Sequence, residues 1–146
     1  MIIYVVVFFI CLFDQLTKYF ALKKLLYKSI PVIKGIFHLN LTFNTGAAFG
    51  IFKGHNVFFI VFSLIIISFL ALNFGAFKNR NLLSRCSVGF IIGGALGNLF
   101  DRIRYGFVID FIDLRVWPVF NLADTAITIG IFLLILSTFL KRKAMK

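Results

Sequence analysis

Acidic residues are scarce in this chain. Its 146 residues include five, all of them aspartates, and no glutamate, against 16 lysines and arginines. The sequence also shows no cluster of residues with metal-ligand spacing, no Ser-His or Cys-His arrangement, no P-loop and no Cys-x-x-Cys motif. These absences argue against a metal centre, a serine or cysteine hydrolase and a nucleotide-binding loop. Any chemistry has to come from the few aspartates.

Hydrophobic residues, in contrast, make up 61% of the chain, and phenylalanine alone occupies 21 positions. A mean hydropathy of +1.01 is typical of an integral membrane protein. The net charge of +11 comes from basic residues that lie between and after the apolar segments, so it indicates anionic lipid and membrane topology rather than nucleic acid. The N-terminus lacks a basic region and a small-residue cleavage pattern, which favours a retained transmembrane helix over a secretory signal.

Four apolar segments are each close to the ~20 residues that cross a bilayer as a helix. They cover about residues 1–22, 56–77, 82–103 and 119–140, and Pro118 precedes the last as a helix-start signal. Between the first two, period-two alternation among glycines predicts a small β element at about residues 29–53, on the membrane surface. We therefore expect an all-α integral membrane protein with four transmembrane helices in a single domain, residues 1–146.

The distribution of basic residues favours a topology with both termini on the inner side. Raw counts on the two sides of the membrane are nearly equal. The turn at 78–85 and the C-terminal tail, however, are short, basic and immediately next to apolar segments, which is where positive charge has most influence on orientation.

Two aspartates occupy apolar surroundings. Asp110 lies within an apolar run at 106–111, and Asp124 lies at the head of the last apolar segment. A carboxylate in such surroundings is costly, so it indicates a function by default. Two of them indicate a pair that shares one proton, which is the chemistry of an aspartic peptidase.

Small and polar residues alternate along the third segment. Gly93 and Gly97 have the spacing that lets another helix approach closely. Gly94, Asn98 and Arg102 fall on one face at steps of four. A packing stripe with an arginine reaching the interface would explain the glycines, but the added amide and guanidinium favour a functional face.

Two further motifs carry polar groups. Asp14 and Lys18 are spaced i, i+4 in the order that favours pairing, and a structural ion pair is the simplest account of them. Asn44 and Gly46 belong to a stretch of small residues at 42–50 that is either a plain turn or a surface that hydrogen-bonds a closely approaching substrate backbone.

Five motifs, in this order, resemble the lipoprotein signal peptidase family, the bacterial signal peptidases II, over nearly the whole chain. They are Asp14-Gln15-x-x-Lys18, Asn44-x-Gly46-Ala47-Ala48-Phe49, Gly93-Gly94-Ala95-x-Gly97-Asn98-x-x-Asp101-Arg102, Gly106-x-Val108-x-Asp110-Phe111 and Phe120-Asn121-x-Ala123-Asp124. The resemblance implies four transmembrane helices in the bacterial cytoplasmic (inner) membrane, cytoplasmic termini and a small β element on the extracytoplasmic face. It also implies cleavage of prolipoproteins before a diacylglyceryl-modified cysteine, contact with membrane lipids and sensitivity to globomycin-type inhibitors.

Carried over motif by motif, the resemblance implies a catalytic pair, Asp110 and Asp124, with no metal or cofactor. The matching polar positions, expected to bind substrate or support the site, are Asp14, Lys18, Asn44, Gly46, Asn98, Arg102 and Asn121. The connection from Asp110 to Asp124 is short for the family. A small ion or proton transporter would also explain buried aspartates, and a non-enzymatic assembly subunit would explain the glycines. The transporter does not explain the Asn-x-Gly-Ala-Ala motif.

Overall fold

The computed structural model describes residues 1–47, 51–73, 75, 77 and 81–144. In chain order, its elements are helix α1 (Ile2–Leu25), strands β1 (Ile30–Ile33) and β2 (Phe37–Asn44), helices α2 (Asn56–Leu72) and α3 (Leu82–Tyr105), strand β3 (Val108–Asp113) and helix α4 (Leu122–Ala144). Three positions of the predicted surface motif, Ala48, Phe49 and Gly50, lie outside the described residues, as do positions 78–80 of the predicted basic turn.

Three helices of the described part are long and apolar enough to cross a membrane: α1, α3 and the Leu122–Leu140 part of α4. Helix α2 is strongly apolar but has 17 residues. At 1.5 Å per residue it is about 25 Å long, a few ångströms less than a typical hydrocarbon core. Its predicted extension to residue 77 includes two positions outside the described residues, 74 and 76. The expected count of four spans therefore stays a prediction.

Helix α3 is the central helix, because its glycines let two neighbours approach. A Cβ atom at Gly89 would lie 2.8 Å from the Cβ of Val6, and one at Gly93 would lie 2.8 Å from the Cβ of Ile10. Residue numbers at these contacts increase along both helices, so α1 runs parallel to α3. The close approach expected from the small-residue spacing is confirmed.

Helix α4 packs against another face of α3 in the opposite direction. A Cβ atom at Gly94 would meet the carbonyl of Ala123 near the start of α4, whereas Ser84 Oγ donates to Ser137 Oγ at 2.9 Å near the other end. Helix α2 also runs opposite to α3, since Asn56 at its start donates to the carbonyl of Arg102 at 3.1 Å. The ends of α1 and α3 and the starts of α2 and α4 consequently lie at the same end of the bundle.

The sheet lies at that end and has the order β1-β2-β3, with antiparallel neighbours. Strands β1 and β2 fall within the predicted β element, but β3 was not predicted. Its sequence, Val-Ile-Asp-Phe-Ile-Asp, has no period-two alternation because the strand is buried on both faces. The strand pairs with β2, so Thr42 lies opposite Asp110 and Asn44 opposite Val108.

Helix α4 also begins later than predicted. Phe120 pairs with Ile112 in an isolated bridge, which keeps residues 119–121 extended and outside the helix. Asn121 then caps the helix, because its side-chain oxygen accepts the Asp124 backbone N–H at 2.9 Å. The first turn of α4 is thereby anchored to the sheet.

Candidate active site

Asp110 is placed by the pairing of β3 with β2. The residue is 1% exposed, and its Oδ2 atom accepts a 2.9 Å hydrogen bond from Nδ2 of Asn44, at the end of β2. Asn44 in turn accepts the backbone N–H of Gly46 at 2.9 Å. The Asn44 amide is therefore held with its oxygen towards the loop and its nitrogen towards Asp110, and the turn after β2 fixes the position of that donor.

Asp124 is placed by the start of α4. Its Oδ2 atom accepts the backbone N–H of Asn121 at 3.3 Å, while Asn121 Oδ1 accepts the Asp124 N–H. This reciprocal pair is a capping box with an aspartate in the third helical position. The same local geometry that starts the helix thus holds the carboxyl group.

Two asparagine side chains connect the two aspartates. Nδ2 of Asn121 donates to Asp110 Oδ1 at 2.7 Å and to Asn98 Oδ1 at 3.0 Å. Nδ2 of Asn98 donates to Asp124 Oδ1 at 2.8 Å. Asn121 consequently touches both carboxyl groups, one through its side chain and one through its backbone N–H. Residues from β3, α3 and α4 are thereby joined into one polar network.

Asp110 is buried and Asp124 is partly buried, so the two carboxyl groups are hard to ionise together. Removal from water, reinforced by the negative charge of Asp124, raises the pKa of Asp110 to about 7. The hydrogen bonds from Asn44 and Asn121 act in the opposite direction, because they stabilise the ionised form. Asp110 therefore exchanges its proton near neutral pH, which is the range in which a catalytic acid or base is most effective.

The two aspartates face a cleft of about 370 Å³. Among its lining residues are Asn44, Gly46, Ala47, Phe59, Asn98, Arg102, Asp110, Trp117, Phe120, Asp124 and Thr128. A second cavity of about 350 Å³, largely apolar, adjoins it and shares Trp117, Phe120, Asp124 and Thr128. A cleft with several hydrogen-bonding side chains, next to a largely apolar cavity, suits a ligand that has both polar and apolar parts.

Arg102 forms one wall of the cleft. Its guanidinium donates to the Gly46 carbonyl at 3.1 Å and lies 4.8 Å above the ring of Phe59 on α2. A Cβ atom at Gly46 would lie 2.7 Å from the carbonyl oxygen of Ile51, so only glycine fits there. Arg102 therefore ties the loop after β2 to α3, over the aspartates.

Asp14 and Lys18 do not line the cleft; they lie beneath it, fully buried. Their predicted ion pair is present, with Lys18 Nζ 2.8 Å from Asp14 Oδ2. Nζ also lies 2.9 Å from Asp101 Oδ2 and donates to Asn98 Oδ1 at 2.9 Å. The pair is thus part of a larger cluster that reaches the asparagine network.

Two residues of that cluster were not among the predicted site residues. Asp101 is 0% exposed, and Gln15 donates to both Asp14 and Asp101, at 3.2 and 3.0 Å. Both lie in motifs that carried the family resemblance. The signal that indicates Asp101 is its position three residues after Asn98, which places both on one side of α3. Within the described ranges, no group of three or more His, Cys, Asp or Glu side chains is arranged to hold a metal ion.

The fold and the site together define a class: a helical membrane protein with two hydrogen-bonded aspartates, one buried and one partly buried, that face a cleft beside a small sheet. Its sequence places it more narrowly. The family model for signal peptidase (SPase) II matches residues 6–140, and the chain belongs to that family. Because the family is one of peptidases, the chain is a protease, and the transporter alternative has no support.

Relatives and a solved structure agree with this assignment. A lipoprotein signal peptidase of Halothermothrix orenii is 46% identical over 142 residues, which is 97% of each chain. One of Pelotomaculum thermopropionicum is 43% identical over 92% of this chain and 89% of its own. A solved bacterial membrane enzyme superposes with a TM-score of 0.88 at 34% identity, over 99% of this chain and 91% of that one.

Proposed function

We propose that this chain is an aspartic endopeptidase that removes signal peptides from prolipoproteins by cleaving before a diacylglyceryl-modified cysteine. The observation that carries the proposal is the pair of aspartates in one cleft, linked through Asn121. Family membership supports the substrate, because relatives are called lipoprotein signal peptidases. Residues 1–146 would act as one membrane-embedded peptidase domain.

In the proposed reaction, a water molecule lies between the two carboxyl groups. Asp124 accepts hydrogen bonds from Asn98 and Asn121 and carries the negative charge. It takes a proton from the water, whose oxygen attacks the scissile carbonyl carbon, while Asp110 gives its proton to the carbonyl oxygen. The proton on Asp124 then passes to the leaving nitrogen, the C–N bond breaks, and Asp110 recovers its proton as the carboxylic acid product forms.

The polar wall of the cleft would hold the substrate backbone. Arg102 keeps the Gly46 carbonyl in place, and the missing side chain of Gly46 lets the backbone of Ile51 pack closely against it, which fixes the shape of this wall. Asn44 serves the chemistry more directly, because its donor contacts Asp110. No metal or cofactor enters these steps.

The apolar surroundings would hold the lipid. Large apolar side chains are exposed on the outer faces of the bundle, including Phe8, Phe62 and Phe132. The apolar cavity beside Asp124 is lined by Trp117, Phe120 and Ile129, among others. Each buried methylene of an acyl chain contributes roughly 0.8 kcal/mol, so a diacylglyceryl group adds a large apolar contribution to binding.

We also propose the orientation in the membrane. Helix α2 acts as a fourth span, both termini are cytoplasmic, and the sheet and the aspartates lie on the extracytoplasmic side of the bacterial inner membrane. The support is the common location of the sheet and the aspartates at one end of the bundle, together with the short basic segments at 78–85 and in the C-terminal tail, which in sequence directly flank the other ends of the apolar segments.

The assignment of the aspartates is tested by Asp110→Asn and Asp124→Asn. Each keeps the side-chain volume but can no longer exchange a proton at neutral pH, so we expect cleavage of a purified prolipoprotein to fall by at least about 100-fold. Asp113→Asn, on the same strand and paired with Arg115, is the matched control and retains activity. Near wild-type turnover in either dyad variant would remove that residue from the mechanism.

The need for lipid is tested with two forms of one precursor. We expect rapid cleavage of the diacylglyceryl-modified form and at least about 100-fold slower cleavage of the unmodified form, because the unmodified form lacks the acyl contacts. A globomycin-type inhibitor should block the first reaction. Equal rates on both forms would instead describe a general intramembrane peptidase.

A further inference from the structure

Lys18 uses all of its hydrogen-bonding capacity inside the protein. The ammonium group has three N–H donors, and it has three partners: Asp14 Oδ2 at 2.8 Å, Asp101 Oδ2 at 2.9 Å and Asn98 Oδ1 at 2.9 Å. Lys18 is 1% exposed and both aspartates are 0% exposed. We use the name lysine clamp for Lys18 together with Asp14 and Asp101.

The two carboxylates of the lysine clamp also hold the backbone next to the catalytic pair. Asp101 Oδ2 accepts the N–H of Ile109 at 3.1 Å, one residue before Asp110. Asp14 Oδ1 accepts the N–H of Ala123 at 3.0 Å, one residue before Asp124. One lysine therefore connects the two backbone segments that carry the catalytic side chains.

The third partner of Lys18 fixes an amide orientation. Asn98 Oδ1 accepts from both Lys18 and Asn121, so Nδ2 has to face Asp124. Turning the amide over would place its N–H donors against two other donors, which is unfavourable in a buried site. Lys18 thus determines which atom of Asn98 meets the catalytic carboxylate.

We propose that the lysine clamp is a positioning device for the proposed peptidase reaction: it sets the separation of Asp110 and Asp124 and the orientation of Asn98. This inference rests on the proposed function. An ion pair that served only to hold α1 against α3 would need neither the two backbone contacts nor the contact with Asn98. The clamp acts through other groups and does not touch the substrate.

The lysine clamp also places charge near the aspartate pair. The charged and titratable groups around Asp110 and Asp124 are Lys18 and Asp14 from α1 and Asp101 and Arg102 from α3, while β2 contributes the neutral amide of Asn44 and α2 contributes Asn56 and Phe59. Loss of the lysine charge makes the pair hold its proton more strongly, and loss of a carboxylate charge makes the pair hold it less strongly.

The test compares three variants in the same prolipoprotein assay. Lys18→Met removes the charge and the donors, and we expect kcat to fall about 100-fold with KM within about two-fold, since sub-ångström misplacement is costly. In this variant, the fall in activity at alkaline pH (the alkaline limb of the pH profile) moves to higher pH. Asp101→Asn lowers kcat and moves that limb to lower pH. Lys18→Arg keeps the charge but not the geometry, so kcat falls while the limb stays in place.

Ser137→Ala is the matched control. It breaks a buried contact between α3 and α4, about 20 Å along α4 from Asp124, and should lower the melting temperature without changing kcat or the pH profile. If Lys18→Met behaves like this control, the clamp is only structural and the proposal is overturned. If Lys18→Met does not fold, the other two variants decide. A normal kcat in both Lys18→Arg and Asp101→Asn, with the alkaline fall in activity at its wild-type pH, also overturns the proposal.

A measurement without substrate separates this proposal from the proposed function. The infrared C=O band of protonated Asp110 is identified by its loss in Asp110→Asn and followed against pH in detergent. Opposite shifts of its midpoint in Lys18→Met and Asp101→Asn support the clamp even where wild-type protein cleaves no prolipoprotein. An active wild type with unshifted midpoints and normal kcat in all three variants would leave the proposed function standing and remove the clamp.

Discussion

The proton on Asp110 is governed by a small number of neighbouring groups. Burial and the charge of Asp124 raise the pKa of Asp110, whereas the hydrogen bonds from Asn44 and Asn121 lower it. The pKa of about 7 belongs to two interacting carboxyl groups that share one proton. Activity that needs this proton falls as pH rises through this value, because the pair then loses it.

Asn44→Ala should shift that fall to higher pH. The variant removes the 2.9 Å donor to Asp110, and because that donor favours the ionised form, its loss raises the pKa further. A hydrogen bond to a charged group is worth about 1.5–3 kcal/mol, which corresponds to a shift of about one to two pH units. The measurement is kcat against pH, with Asn40→Ala on the same strand as control. A limb that stays in place, or moves to lower pH, would contradict the role assigned to Asn44.

At the scale of secondary structure elements, the contact of α1 with α3 matters for the site. Gly97 packs directly against the carboxylate of Asp14, which in turn holds the N–H of Ala123. The glycine is thus required by a neighbouring side chain, and the spacing of small residues along α3 serves the site as well as helix packing. Asp14 is 0% exposed, and its carboxylate is held by Lys18, Gln15 and the N–H of Ala123.

Gly97→Ala should therefore reduce both stability and activity. Alanine favours helix by up to about 1 kcal/mol, but overpacking costs about 1–3 kcal/mol and pushes Asp14 away from α4. We expect a lower melting temperature in detergent and at least about ten-fold slower prolipoprotein cleavage. In Gly75→Ala, the control, the added Cβ meets no other described atom within 4 Å. Unchanged cleavage in Gly97→Ala would show that the position of Asp14 is not critical.

For the whole molecule, the directions of the helices bring every polar site residue to one end. α1 and α3 run one way, α2 and α4 the other, and the sheet covers the end where the aspartates lie. The opposite end is held by apolar packing around Ile3, Leu70 and Val88. Under the proposed function, this arrangement predicts cleavage near one membrane surface and not at the middle of the bilayer.

The proposed orientation predicts a labelling pattern in intact cells. In a background with Cys11 and Cys86 replaced by alanine, cysteines at Lys34 and Val116 should react with a membrane-impermeant maleimide, because both lie at the end that carries the sheet. A cysteine at Asn73, which caps the far end of α2, should react only after lysis. The reverse pattern would invert the topology and place cleavage in the cytoplasm.

Sequence alone is sufficient for the membrane class, the approximate helices and the family. Runs of apolar residues, glycine spacing and capping residues act over a few positions, so they can be recognised without a structure. The family match over residues 6–140 confirms the resemblance carried by the five motifs. The choice of Asp110 and Asp124 also came from sequence, since aspartates are so few.

Tertiary structure was needed for the contacts that join distant segments. Strand β3 is buried on both faces and is stabilised by pairing with β2, about 70 residues earlier in the chain, so no local pattern indicates it. The roles of Asp101 and Gln15 likewise depend on α1 and α3 packing at glycine distance. A buried lysine needs partners on every donor, and two of the three partners of Lys18, Asn98 and Asp101, lie on α3, at least 80 residues further along the chain. Such long-range hydrogen bonds are decided by how the helices pack, which is why the arrangement around the aspartates could not be predicted from sequence.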